Sequence, residues 1–278
     1  MKITVLMENT KGIGREAFPC VCEHGLSLYI EWGDRSLLSD AGASEAFLNN
    51  AGHLGVDLSR VEAVFLSHGH YDHGGGLEAF AHRYPDIPIF MQASALGHFC
   101  RLQEGRERYI GLSEQTAGLP SLRLLDGTFR LDSEVSVFVR EEESQEERGT
   151  EDRGLLVRDQ GGLRPDAFYH EQYLVLEEGA KKVLISGCAH NGIATIMKEF
   201  RRRFGCDPDA VISGFHLRSK NGYNESKRQL IRSMAAELAK YESCYYTGHC
   251  TDETAIEIMG EVLGERLQPF RCADVLLI

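Results

Sequence analysis

Residues 66–76 read Leu-Ser-His-Gly-His-Tyr-Asp-His-Gly-Gly-Gly, so His68, His70, Asp72 and His73 fall within six positions and three glycines follow at once. Imidazole nitrogens and carboxylate oxygens are the donors that zinc, iron and manganese take from proteins, and spacing decides whether such donors converge. In an extended loop His68 and His70 share a side, while Asp72 and His73 come round as the chain turns into a helix. One turn can therefore serve two ions, with His68 and His70 on the first and Asp72 and His73 on the second. The glycines permit a sharp turn into a helix close behind the ions.

The flanks support that placement. "VEAVFLS" before the cluster reads as a buried strand and "GGLEAFAHRY" after it as a helix, so the donors sit on a loop at a strand's carboxyl end. Three later stretches repeat the setting of a β-run, a glycine and then a histidine. They are "ISGCAHNGI" with Cys188 and His190, "ISGFHL" with His216, and "YTGHCT" with His249. Sites of open α/β sheets gather at strand carboxyl ends, which makes convergence of these loops the economical expectation.

Along the chain, strands and helices interleave, giving an α/β (α+β) class. "LSLYIEW" and "RSLLSDAG" predict a hairpin across Gly33-Asp34, and Ser44 can cap a helix over "SEAFLNNAGHLG". A helix is expected near "ALGHFCRLQEG", and helices again at "GIATIMKEFRRRFG", "ESKRQLIRSMAAELAKYE" and "DETAIEIMGEVLGERL". Residues 141–164 break the composition: rich in charge and poor in apolar side chains, they read as a solvated loop or a lid. The basic run "EFRRRF" reads as a solvated helix face near a C-terminus, where cations are favoured.

Composition narrows the function classes. The 278 residues, 42% hydrophobic and 26% charged, can bury a real core in one large compact domain or in two small ones. The net charge of -12 repels polyanions, so neither nucleic acid nor an acidic membrane is expected as a partner, and a small-molecule substrate is. After "MKITVLM" the chain reaches Glu8, and it has no apolar stretch of about 18 residues; a cytoplasmic location is expected. The eight cysteines include no C-x-x-C pair and read as reduced thiols.

"LSHGHYDHGGGL" is similar to the signature of the metallo-β-lactamase superfamily, and "LLSDAGAS" resembles its early Asp-Ala-Gly element. "GCAHNGI", "SGFHL", "TGHCT" and "HEQ" at 170–172 resemble the branch related to the dihydropterin ribofuranosyl-aminobenzene phosphate synthase, and this likeness covers essentially the whole chain. The resemblance implies a single domain spanning 1–278, a four-layer αββα sandwich of two mixed β-sheets flanked by helices, with a dinuclear metal site along one edge. It implies His68, His70, Asp72, His73, His190 and His249 as ligands to two divalent ions, zinc or alternatively iron or manganese. It places Asp40 behind the ligands as a support. Most members have Gly-Asp, with a bridging aspartate, where this sequence has Gly187-Cys188. Either the Cys188 thiolate bridges or His190 completes the first ion; imidazole is preferred because it leaves the ion more Lewis-acidic. His170 is the rival for that position.

The expectation that follows is a metal-dependent hydrolase, with metal-bound hydroxide attacking a small phosphate- or ester-bearing substrate and with His216 or His170 delivering a proton or holding the substrate. Within enzymes the alternative is a synthase-like transferase, whose chemistry in that branch is a condensation releasing pyrophosphate. Outside enzymes it is a non-catalytic metal-containing ligand-binding module, disfavoured because structural zinc sites are usually closed and rich in cysteine.

Overall fold

The computed structural model describes residues 1–14, 19–140, 154–219 and 222–278. The chain divides into two compact units, the first made of residues 1–129, 153–172 and 271–278 and the second of 130–152 and 173–270. Elements are numbered along the whole chain.

In the first unit, β1 (Lys2–Met7), β2 (Ser27–Trp32), β3 (Arg35–Ser39), β4 (Ala63–Phe65), β5 (Ile89–Gln92), β8 (Leu122–Leu125) and β18 (Val275–Leu277) form one seven-stranded sheet, ordered β18-β1-β2-β3-β4-β5-β8. β18 to β3 pair antiparallel, and β3, β4, β5 and β8 run parallel. Parallel pairing puts the carboxyl ends of β3 and β4 at the same edge, so Asp40 emerges beside Ser67 and His68. The helices α1 (Ala46–His53) and α3 (Leu77–Arg83) pack Phe47, Ala51, Leu77 and Phe80 onto Leu6, Tyr29, Leu38, Val64 and Met91 of the sheet. The alternate residues Ile3, Val5, Leu28, Ile30, Leu37 and Ala63 are buried too. Burial on both faces explains why these strands read as nearly continuous apolar runs.

Residues 95–105 correct an expectation. Leu96, Phe99 and Cys100 have helical spacing, yet the chain forms β6 (His98–Gln103), paired with β7 (Arg106–Tyr109) through a turn in which Glu104 and Gly105 both have positive φ, 52° and 73°. That is the mirror-image turn whose twist matches a hairpin. The charged segment at 141–164 is corrected in part. Its residues 141–153 lie outside the described residues, while the remainder contains the hairpin of β11 (Leu155–Asp159) and β12 (Gly162–Pro165). β11 adds to β6, giving a four-stranded sheet ordered β12-β11-β6-β7. Cross-strand partners far away in sequence override the local helical period here.

In the second unit, β9 (Phe129–Arg130), β10 (Val135–Val139), β13 (Gln172–Glu178), β14 (Lys181–Ile185), β15 (Ala210–Ile212), β16 (Cys244–Thr247) and β17 (Leu267–Pro269) form a second seven-stranded sheet, in which the first residues of β9 and β13, Phe129 and Gln172, still belong to the first unit. β14 to β17 are parallel. The helices between them are α4 (Ile193–Phe204), α5 (Glu225–Leu238) and α6 (Glu253–Leu263). They bury Ile196, Phe200, Ile231, Ala235 and Ile258 against Tyr173, Val175, Leu184, Val211 and Tyr245. Gly205 ends α4 in the left-handed conformation, φ 68°, as a C-terminal glycine commonly does. The basic run of α4 is ion-paired, Arg201 to Asp207 at 2.6 Å and Arg202 to Glu199 at 2.8 Å. Among the described residues no helix is long and apolar enough to cross a membrane.

Candidate metal centre

Following β4, the histidine loop turns into the single-turn helix α2 (Tyr71–Gly74) and is held from two sides within the first unit. On one side is Asp40, buried and in the left-handed conformation with φ 61°. Its Oδ1 accepts from the Ser67 backbone N–H at 2.7 Å, and its Oδ2 accepts from the Ser67 hydroxyl at 2.8 Å and from His73 Nδ1 at 2.6 Å. The pattern assigns tautomers. His73 carries its proton on Nδ1 and keeps Nε2 as the basic nitrogen. Since the Ser67 hydroxyl donates to Asp40, its oxygen accepts from His68 Nδ1 at 2.8 Å, which again makes Nε2 basic. His68 Nε2 stands 3.1 Å from His70 Nδ1. Two nitrogens bound to one tetrahedral zinc at 2.0–2.1 Å would be separated by about 3.3 Å, so this pair is spaced as ligands of one ion are.

The glycines have a packing reason. A Cβ on Gly69 would stand 2.3 Å from the Ala95 carbonyl oxygen, and one on Gly75 or Gly76 would stand 2.2 Å from the Ala43 or Ala41 carbonyl. Helix α2 and its exit thus lie directly on residues 41–44, and Ala41 N–H donates to His73 O at 2.7 Å. Only a residue without a side chain permits that approach.

On the other side is the segment before β13. His170 Nδ1 accepts from the Gly69 N–H at 3.0 Å, and its Nε2 donates to Asp166 Oδ2 at 3.0 Å. Asp166 Oδ1 accepts in turn from Phe168 N–H at 2.7 Å, and Gln172 N–H donates to Ser67 O at 2.8 Å. His70, Asp166 and His170 lie close enough together to be considered as a metal group. The hydrogen bonds argue otherwise: with Nδ1 accepting, the proton sits on Nε2, and an ion there would require an imidazolate. Sequence reading missed two contributors to this region, Asp166 and His24. His24 Nε2 approaches Asp72 Oδ2 to 3.2 Å, and an isolated histidine in "CEHG" carries no signal of its own.

The second unit brings together its own strand-end loops. Parallel β14, β15 and β16 deliver Cys188 and His190, His216, and His249 and Cys250 to one sheet edge, with Gly214 N–H donating to Gly187 O at 2.8 Å. His190 Nδ1 and His216 Nδ1 share a hydrogen bond at 3.0 Å with the rings edge to face. His216 N–H donates to Cys250 Sγ at 3.2 Å, and a Cβ on Gly214 would stand 2.4 Å from that sulfur. Burial would push the Cys250 thiol up, but the hydrogen bond from Cys188 and the charges of His216, His249 and His190 outweigh it and pull it down. Ala189, His216 and His249 all have positive φ, between 50° and 55°. Such strain in residues with a Cβ concentrates where function requires it.

Buried imidazoles of fixed tautomer beside a carboxylate, as the histidine loop presents them, are donors that a divalent ion accepts. The sequence model of the metallo-beta-lactamase superfamily matches residues 21–249. The 7,8-dihydropterin-6-methyl-4-(beta-D-ribofuranosyl)-aminobenzene-5'-phosphate synthase of Methanocaldococcus jannaschii is 28% identical over 301 residues, covering 99% of this chain and 96% of that protein. A solved metal-dependent hydrolase of the beta-lactamase superfamily superimposes with a TM-score of 0.83 at 25% identity, over 100% of this chain and 99% of that one. Zn(2+)-bound PqqB from Methylobacterium extorquens shares the fold at a TM-score of 0.56 and 14% identity, each chain covered in full. With mixed sheets flanked by helices and a family match over most of its length, the chain belongs to the metallo-β-lactamase superfamily.

Proposed function

We propose that the chain is a metal-dependent hydrolase acting on a small phosphate- or ester-bearing substrate. The observation that carries the proposal is the tautomer assignment in the histidine loop, where Asp40 and Ser67 accept from Nδ1–H of His73 and His68, hold the proton on that nitrogen and so leave each Nε2 free to act as a ligand nitrogen. The 25% identity to a metal-dependent hydrolase over the whole chain supports it.

His68, His70, Asp72 and His73 would serve as ligands to two divalent ions, and the resemblance adds His190 and His249 to the set. Zinc is the first choice, with iron and manganese as alternatives. Such ions, when bound, lower the pKa of coordinated water and polarise a carbonyl or phosphoryl oxygen. His216 is half-buried and exchanges a hydrogen bond with His190, which suits it to hold or deliver a proton at Nδ1. His170 has both ring nitrogens engaged by Gly69 and Asp166, and it acts instead as a positioning residue for the loop. Cys188 stands where most relatives bridge with aspartate, and its hydrogen bond to Cys250 gives it a second route into the site's electrostatics.

The test is a screen of chromogenic phosphomonoesters, phosphodiesters and carboxyl esters, with and without chelator, on protein whose metal content is measured by elemental analysis. A chelator-sensitive rate with about two ions per chain is expected. A metal-free chain that stays inactive on resupply sinks the reading. The condensation reading keeps a place because of the Methanocaldococcus relative, and pyrophosphate release without ester hydrolysis would favour it.

A further inference from the structure

We infer that Arg101 and Arg108 form an anion subsite beside the histidine loop, which takes a phosphate or carboxylate group of the substrate; its part in turnover rests on the hydrolase reading above.

The inference comes from the faces of the β6/β7 hairpin. Phe99 and Arg101 lie on one face of β6, and Arg108 of β7 stands directly opposite Arg101 in the register. Phe99's ring centroid is 5.8 Å from that of His70 and 4.0 Å from that of His170, so this face meets the histidine loop. Arg101 is one two-residue step, about 7 Å, further along the strand. β7 leads into the same loop: Tyr71 N–H donates to Ile110 O at 2.9 Å, and His70 bridges to Gly111. Tyr71 stands between the candidate ligands His70 and Asp72.

Like charges directly opposite each other across two strands are destabilising. The opposite face of the same sheet avoids this, since Glu107 pairs with Arg158 and with His98. Arg164, on the arginine face, is matched by Asp159 at 2.6 Å. None of the ion pairs found among the described residues engages Arg101, Arg106 or Arg108. In a chain of net charge -12, two facing arginines with no ion-paired carboxylate among the described residues, one of them a single step along the strand from Phe99, whose ring lies 5.8 Å from that of His70, call for an anion from outside. Two guanidinium forks at cross-strand distance match the oxygens of a phosphate or carboxylate.

The experiment is calorimetric titration of the metal-loaded chain with inorganic phosphate at low and high salt, alongside the KM for a chromogenic phosphomonoester and for a neutral carboxyl ester. Arg101→Gln and Arg108→Gln should each weaken phosphate binding about tenfold, and the double variant about a hundredfold, with metal content unchanged. Arg106→Gln, one step outside the pair, should change it less than about twofold, and Arg101→Lys with Arg108→Lys should restore part of the loss. A phosphomonoester KM that rises in the double variant while the neutral ester's KM holds assigns the subsite to the substrate; unchanged KM for both overturns that assignment. Phosphate binding that is absent in the parent, equal in the double variant, or lost equally in Arg106→Gln overturns the subsite. Phosphate binding as expected with no chelator-sensitive turnover overturns the hydrolase reading alone.

Discussion

Replacing Asp40 by asparagine changes one group and almost no shape, and it tests the tautomer argument directly. Asp40 accepts three hydrogen bonds, from Ser67 N–H, the Ser67 hydroxyl and His73 Nδ1. Asparagine can keep an oxygen toward only one side. With that oxygen on Ser67 N–H, the new amide N–H₂ faces the Ser67 hydroxyl and His73 Nδ1–H. The hydroxyl can rotate, but His73 relieves the donor–donor contact only by moving its proton to Nε2, the nitrogen it would offer an ion. Backbone strain does not confuse the result, because asparagine tolerates the φ of 61° at this position. A charge-assisted hydrogen bond is worth about 1.5–3 kcal/mol, so a loss of about 2–4 kcal/mol in unfolding free energy is expected for this buried group, including some unrelieved desolvation. Metal affinity should fall about 10–100-fold, the usual cost of removing a partner behind a ligating histidine. Denaturant unfolding of the metal-free chain reads the first quantity, and competition with a metal indicator reads the second. An Asp40→Asn chain that binds metal within about twofold of the parent would refute the reasoning, whatever its stability.

Gly69→Ala places a methyl 2.3 Å from the Ala95 carbonyl and 2.6 Å from the Phe99 ring, so the loop must yield by about 1 Å; a stability loss of about 1–3 kcal/mol with weakened metal binding is expected by thermal melts and metal titration, and parental values for both would contradict it. His170→Ala should lower metal affinity without lowering the number of ions per chain, whereas His170→Asn, whose amide oxygen can accept from Gly69 N–H, should restore most of it; loss of one whole ion would instead make His170 a ligand. Glu107 is held down to about 2, mainly by its hydrogen bonds to Arg158, so any stability it contributes is present above its ordinary pKa of 4.5 and disappears as pH falls from there toward 2. The stability difference between the parent and Glu107→Gln should be flat above pH 5 and shrink below it in urea melts, and a difference that grows on acidification would reverse the assignment.

The histidine loop was legible because its chemistry is local: four donors and four glycines in eleven residues, after an apolar strand, need no long-range information. The three strand-glycine-histidine loops were legible for the same reason, since the parallel strands that gather them in the second unit follow from the alternation of β-runs and helices. β6 was not. Leu96, Phe99 and Cys100 have the spacing of a helix face, and only pairing with β7 on one side and β11 on the other makes them a strand. The hairpin at Leu155–Pro165 was hidden likewise by a charged composition that suits an exposed strand as well as a loop. His170 was noticed from its position, but its hydrogen bonds to Gly69 and Asp166 arise from contacts more than a hundred positions apart in one case and from a chain reversal in the other.

Asp40, Ala189, His216 and His249 hold the left-handed backbone at strand ends, each against a steric cost of roughly 1–2 kcal/mol. That cost is met by the packing of the sheets that hold these strand ends. The fold gives up stability at four points in order to fix the direction in which each loop leaves its strand, so the backbone there is set by the sheets and not by the local sequence.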